Sequence, residues 1–278
     1  MTTTAGCHDP SPYAEATIAV GTLHGKESAF APAFGRWLDA AVRATTALDT
    51  DALGTFTGDV PRALSPMDAA EAKAAGAAAE LGTPFGVATE ASYAPSLGGF
   101  GPVVHEELVV FVDLERGIRV PHGVRAYARV AAPRDVEDEA AARAYLDRVG
   151  FPGQAVVARL GNELRKGLQD ERVVLGLVAR GPVRLEPDLR AHLNPQRRRT
   201  LRGVAWGMAA RLRTPCPACA CPGFGPVDVV RGVPCGGCGT PTSRVRADVD
   251  GCAACPARQE RPRPVTVADP ATCDVCNP

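Results

Sequence analysis

Eight cysteines at the end of the chain constrain its folding more than any other feature. They form four Cys-x-x-Cys pairs, Cys216/Cys219, Cys235/Cys238, Cys252/Cys255 and Cys273/Cys276, and only Cys7 and Cys221 fall outside them. Two cysteines separated by two residues fit one tight turn, and two such turns supply the four thiolates that zinc takes tetrahedrally. A disulfide framework would instead need an oxidising compartment. The start, "MTTTAGCHDPSPYAEA", has no basic segment followed by an apolar one and does not read as a signal peptide. No apolar run approaches the roughly 18–20 residues of a membrane span. The expectation is a cytoplasmic protein, away from membranes, with two structural zinc ions.

The segments between the pairs, 15, 13 and 17 residues long, each accommodate a β-hairpin. Residues 214–278 therefore read as a tandem zinc ribbon. Sequential pairing is expected, first with second and third with fourth, with a nested arrangement (second with third, first with fourth) as the rival. Four cysteines per ion leave no open position for catalysis, so the module is structural or recognitive, and a segment this small holds no core without metal. Cys221 reads as a small buried residue. Arg244, Arg246, Arg258, Arg261 and Arg263 are not interleaved with aromatics, and Phe224 is the module's one aromatic. Base stacking there lacks its platforms, which leaves nucleic acid a weakly supported partner.

Upstream, residues 1–14 read as a disordered lead and 15–213 as an α/β domain. "ATIAV" (16–20) suits a buried strand. A helix follows from about Lys26 through "KESAFAPAFGRWLDAAV", where Pro32 is expected to break or kink it. Residues 48–66 are turn-rich and read as an exposed loop. Ser65 and Pro66 then open a helix that ends at Gly82. "PFGVATEASY" is a strand, and "ELVVFVDLERGIRV" a strand, a turn and a second strand. Residues 135–150 form an amphipathic helix, further strands or a short helix follow, and Asn194-Pro195 opens the last helix. Alternating strands and helices point to a mixed-sheet α/β domain. Residues 1–150 carry 12 basic and 20 acidic side chains, and residues 151–278 carry 19 and 11. That asymmetry serves an anionic ligand on the C-terminal side or simply joins the halves.

The chain has three lysines, Lys26, Lys73 and Lys166, against 28 arginines. Two of the three fall in stretches that can meet. "GTLHGKE", with His24 and Lys26, is a strand-to-helix turn whose free amides suit a phosphate. "EAKAAG" places Lys73 on a helix, and Glu90 sits where the next strand ends, a carboxylate suited to magnesium that also meets phosphates. "DLRAHLNPQRRRTL" sets Arg190, His192 and Arg197 around a helix start, again suited to an anion.

Through "TIAVGTLHGKE", "TEASYAP", "DLRAHLNPQR", "CPACACPGFGPVDVVRGVPCGGCGTPT" and "CDVCNP", nearly the whole chain resembles an uncharacterised bacterial family, a domain of unknown function. More distantly, residues 16–205 resemble the inosine triphosphatase and Maf group of nucleotide pyrophosphatases. That resemblance implies an inosine-triphosphatase-like fold in which Lys26 and Lys73 hold phosphates, Glu90 binds magnesium and Arg197 stands in the late basic motif. Thr89 replaces one acid of that group's acidic pair, and "NPQR" replaces its Ser-His-Arg. Another base, Asp113 or Glu107, would then have to activate water.

Two functional readings follow. One is a magnesium-dependent hydrolase of a nucleotide or related phosphate compound, with Glu90 and Lys73 catalytic and His24, Lys26, Arg190 and Arg197 binding. The other is a non-catalytic nucleotide- or RNA-binding protein whose zinc ribbon docks a partner. A purely structural role for the ribbons is the third possibility.

Overall fold

The computed structural model describes residues 11–22, 25–47, 64–97 and 100–278. The expected single α/β domain is built on two separate sheets. The first contains β1 (Thr17–Val20), β2 (Ala41–Ala44), β3 (Phe85–Leu97), β4 (Phe100–Asp113) and β5 (Ile118–Tyr127), in the order β2-β1-β3-β4-β5. β1 is parallel to β2 and β3, whereas β3, β4 and β5 form an antiparallel meander. The second sheet, in the order β6-β9-β7-β8, comes from β6 (Arg134–Val136), β7 (Val156–Leu160), β8 (Glu163–Leu168) and β9 (Val183–Pro187). It has its own core against α3 (Glu139–Val149) and α4 (Glu171–Val178), centred on Tyr145, Val156, Val174 and Leu185.

Side chains alternate across a strand, and this assigns the two faces of the first sheet. Phe85, Val87, Val109 and Phe111 pack against α1 (Glu27–Leu38) and α5 (Pro195–Leu212). Ala88, Val110 and Val112 pack against α2 (Pro66–Leu81) on the other face. α2 lies very close to the sheet because its inner face is alanine, with Ala70, Ala74, Ala77 and Ala78 buried. Gly86 completes that approach. A Cβ there would stand 2.0 Å from the Ala74 carbonyl oxygen, so no other residue fits.

The caps act as expected. Ser65 Oγ accepts from Asp68 N (3.2 Å) and Pro66 opens α2. Asn194 Oδ1 accepts from Arg197 N (2.9 Å) and Pro195 opens α5. Each satisfies an amide that the helix itself leaves without a partner. α1 departs from expectation. Pro32 lies inside an unbroken helix on its exposed side, near enough to the N-terminus that little is lost. The helix stops at Leu38, Asp39 takes the left-handed conformation at φ 55°, and residues 41–44 become strand instead of continuing the helix. The loop expected over 48–66 lies outside the described residues through 63.

The cysteine module follows α5 directly as a three-stranded antiparallel meander, β10 (Gly225–Arg231), β11 (Val245–Gly251) and β12 (Arg258–Pro262). It docks on the first sheet through buried Arg211, which donates to the carbonyls of Gly223 (3.0 Å), Pro226 (2.9 Å) and Pro121. Cys221 packs partly buried against the main core. No helix among the described residues is long and apolar enough to cross a membrane.

Candidate functional site

β1 ends at Val20, opposite Val87, and the last bridge is Gly21 N to Val87 O (2.9 Å). β3 runs on without it, so Glu90 sits within a strand instead of at its end. From β1 the chain goes through α1 on one face to β2, and through α2 on the other face to β3. The crevice beyond the carboxyl ends of β1 and β3 is thus a topological switch point, the place where open α/β sheets bind ligands.

Gly25, at φ +67°, turns the chain into α1 and sets Lys26 at the helix start. The Lys26 ammonium reaches the uncovered edge of β3, donating to Thr89 Oγ1 (3.1 Å) and Thr89 O (3.4 Å). Across the sheet plane Lys73 Nζ meets Glu90 Oε1 at 2.5 Å, both residues buried. Gly21 allows this, because a Cβ there would meet the Lys73 carbonyl oxygen at 2.6 Å. On the α5 face Arg197 clamps Glu107 with two bonds, Nε to Oε2 (2.8 Å) and Nη2 to Oε1 (3.1 Å), and its Nη1 donates to Leu189 O (2.9 Å). His105 Nε2 lies 3.0 Å from Glu107 Oε2, and its ring stacks on Tyr93 at 4.4 Å.

The electrostatics follow from this packing. Half-buried Lys26 has its pKa pushed down to about 8, by burial first and then by Arg197, with Glu107 and Glu90 opposing. Burial would raise the Glu107 carboxyl, but Arg197, His105 and Lys26 together hold it down to about 2. Among the described residues Lys26 is bonded only to the neutral oxygens of Thr89, and Glu107 is a poor proton acceptor.

Beside Lys26 an open cleft of about 440 Å³ lies between the starts of α1 and α5. Among the described residues its lining holds the cations Lys26, Arg198 and Arg202 beside His192, and no acidic residue. Ala29, Ala191 and Leu201 form an apolar wall. The two helices run parallel: their first turns share this cleft, and at the far end Arg213 Nη1 donates to Trp37 O (3.3 Å). Both positive dipole ends thus point at one space.

Lys26 and Lys73 meet Thr89 and Glu90 of β3, but of Lys26, Lys73, Glu90 and Arg197 only Lys26 lines the cleft; Lys73 and Glu90 pair with each other and Arg197 is committed to Glu107. His24 lies outside the described residues. Arg190 is turned to Asp188 (Nη2–Oδ2 2.7 Å) and does not line the cleft. Asp113 cannot activate a ligand at the switch point. It pairs with Phe85 at the opposite end of β3, accepts from Tyr13 Oη (3.2 Å) and is bridged by Arg116 (2.7 Å). His105 and Tyr93 were not anticipated. Their signal was the apolar alternation of β4, in which His105 and Glu107 occupy the same face as Val109 and Phe111.

The second candidate site is the pair of cysteine tetrads. Cys216, Cys219, Cys252 and Cys255 converge, as do Cys235, Cys238, Cys273 and Cys276, with all sulfurs of a set within 4.8 Å. Sequential pairing was wrong, and so was the nested rival: first joins third and second joins fourth. The reason is the meander. Each intervening segment holds one strand instead of a hairpin, and seven residues of strand span about 24 Å. Successive pairs therefore fall at opposite ends of the sheet. The sulfur–sulfur edges are 3.7 Å for Cys216–Cys255, 3.6 Å for Cys219–Cys252 and 3.7 Å for Cys235–Cys276 and Cys238–Cys273. A tetrahedral ion with bonds of about 2.3 Å to sulfur requires edges of about 3.8 Å. A disulfide needs about 2.05 Å. Backbone amides of Ala218, Gly237 and Ala254 face Cys216, Cys235 and Cys252 at 3.3–3.4 Å, as thiolates require.

The family model for a domain of unknown function (DUF6671) matches residues 73–278. The chain belongs to that family. The DUF6671 match takes in Lys73, Glu90, Glu107, Arg197 and all eight paired cysteines, while β1, α1 and Lys26 precede it. No curated protein matches this DUF6671 chain.

Proposed function

We propose that this protein binds a phosphate-bearing small molecule of the nucleotide class in the switch-point cleft, and that zinc fills both cysteine tetrads as a structural element. The carrying observation is a cleft whose described lining holds no acidic residue, where two helix starts meet Lys26, Arg198 and Arg202. Among the described residues none of these three has a carboxylate within ion-pairing distance. Charge-assisted bonds to phosphate oxygens satisfy such cations. The apolar wall and the volume suit a base or sugar beside the phosphates.

The residues favour binding over hydrolysis. The Lys73 ammonium stands against Glu90 where a magnesium ion would have to sit, and Glu107 is held by Arg197. Outside the cysteine tetrads no three metal-ligating side chains converge among the described residues. The donor set therefore does not fit magnesium. Calorimetric titration with ATP, GTP and inorganic triphosphate tests the reading. Binding is expected in chelator-free buffer without magnesium, weakening as pH rises through about 8, where Lys26 loses its charge. Absence of binding by all three, or affinity indifferent to pH between 7 and 9, would count against it.

A further inference from the structure

The outer helical layer carries a pattern that the cleft does not use up. α5 has five arginines and no acidic residue. Two of them, Arg197 and Arg211, are buried and committed to Glu107 and to backbone carbonyls. Arg198, Arg202 and Trp206 are four residues apart and exposed, so they stand one above another on the solvent face. Arg213 continues the row, and its bond to Trp37 O brings the end of α1 alongside. The chain has two tryptophans, and both lie in this layer with 43% (Trp37) and 38% (Trp206) of their surface exposed. Tryptophan is normally well buried. Two exposed indoles interleaved with guanidinium groups combine stacking platforms with a cationic track, which is how proteins hold single strands without reading sequence.

We infer that the exposed face of α5, with Trp206 and Trp37, binds single-stranded nucleic acid whose end enters the switch-point cleft. The inference rests on the cleft reading for its terminal phosphate, and on the helix face for the rest. From Arg198 to Arg213 the axis runs about 22 Å. Arg198 and Arg202, one turn apart, hold neighbouring phosphates, Arg213 holds one about three turns further on, and bases stack on the indoles. This site lies on the α/β domain, away from the arginines of the cysteine module, three of which are paired to Glu260, Asp250 and Asp248.

Tryptophan fluorescence tests the inference on the intact, metal-loaded protein. With only two tryptophans, Trp37→Phe leaves Trp206 as the single reporter. The probes are dT10, rU10 and the mononucleotide ATP, the first two separating DNA from RNA. A decamer is expected to quench Trp206 and to bind at least tenfold tighter than ATP. Trp206→Ala should weaken the decamer about tenfold, the loss of one stacked base, while ATP binding stays unchanged and reports an intact fold. The slope of log K against log salt should be about −3 for Lys26 and three arginines, and Arg213→Ala should flatten it by about 0.7. ATP binding with no decamer enhancement, or decamer binding indifferent to Trp206→Ala, overturns the inference and leaves the cleft reading standing. Failure of every probe overturns both.

Discussion

Replacing Arg197 with methionine should reverse the way stability responds to pH. Glu107 is 1% exposed and receives two bonds from Arg197 and a contact from His105. Its pKa falls from 4.5 to about 2 despite burial. A carboxyl whose folded pKa is depressed adds stability above its unfolded pKa and loses it as pH falls toward the folded one. The window is therefore pH 4.5 down to 2, and the contribution at neutral pH is roughly 3 kcal/mol at 1.36 kcal/mol per unit. Breaking a buried pair from one side costs about 3–5 kcal/mol by independent experience, which agrees. In Arg197→Met, burial dominates, the Glu107 carboxyl rises above its ordinary value, and stability should fall as pH rises past about 4.5. Urea midpoints for both proteins from pH 3 to 8 read this directly. Comparing them at each pH cancels any loss of thiolate-bound metal in acid. Adding Glu107→Gln should recover part of the loss. A cost below about 1 kcal/mol, or parallel pH profiles, would refute the account of this pair.

Other consequences are as direct. A Cys216→Ser/Cys252→Ser protein should retain about one zinc by elemental analysis, because both changes fall in one tetrad; sequential pairing would damage both sites and leave close to none. Gly86→Ala should destabilise the fold by several kcal/mol or prevent its accumulation, since the new methyl would overlap the Ala74 carbonyl; an unchanged melting temperature would contradict the close seating of α2. Asp113→Asn should lower the melting temperature through Tyr13 and Arg116 yet leave nucleotide affinity intact, and a loss of affinity without destabilisation would return Asp113 to the site.

What the sequence made legible is local. Ser65-Pro66, Asn194-Pro195 and Gly150 mark helix ends because each acts on amides or carbonyls within four residues of itself. The rarity of lysine led to Lys26 and Lys73, and the fold brings them to successive residues of β3, Lys26 to Thr89 and Lys73 to Glu90. What depended on long-range geometry stayed hidden. A segment of 13 residues fits a hairpin or one strand with its turns equally well, so the cysteine pairing could not be read from spacing. The split into two sheets was equally hidden, since β6 to β9 look in sequence like a continuation of the first. Glu107 was weighed as a base, yet its role depends on Arg197, 90 residues away. The alternation of β4, a polar pair on an otherwise apolar face, was the available clue.

The central claim is that the switch-point cleft binds phosphate through Lys26. The most direct test is calorimetry of ATP binding to Lys26→Ala beside Lys166→Ala, the latter on β8 in the second sheet. Loss of one charge-assisted contact should weaken Lys26→Ala by about tenfold or more, with Lys166→Ala indistinguishable from the wild-type protein. Equal affinity of the two variants would contradict the claim.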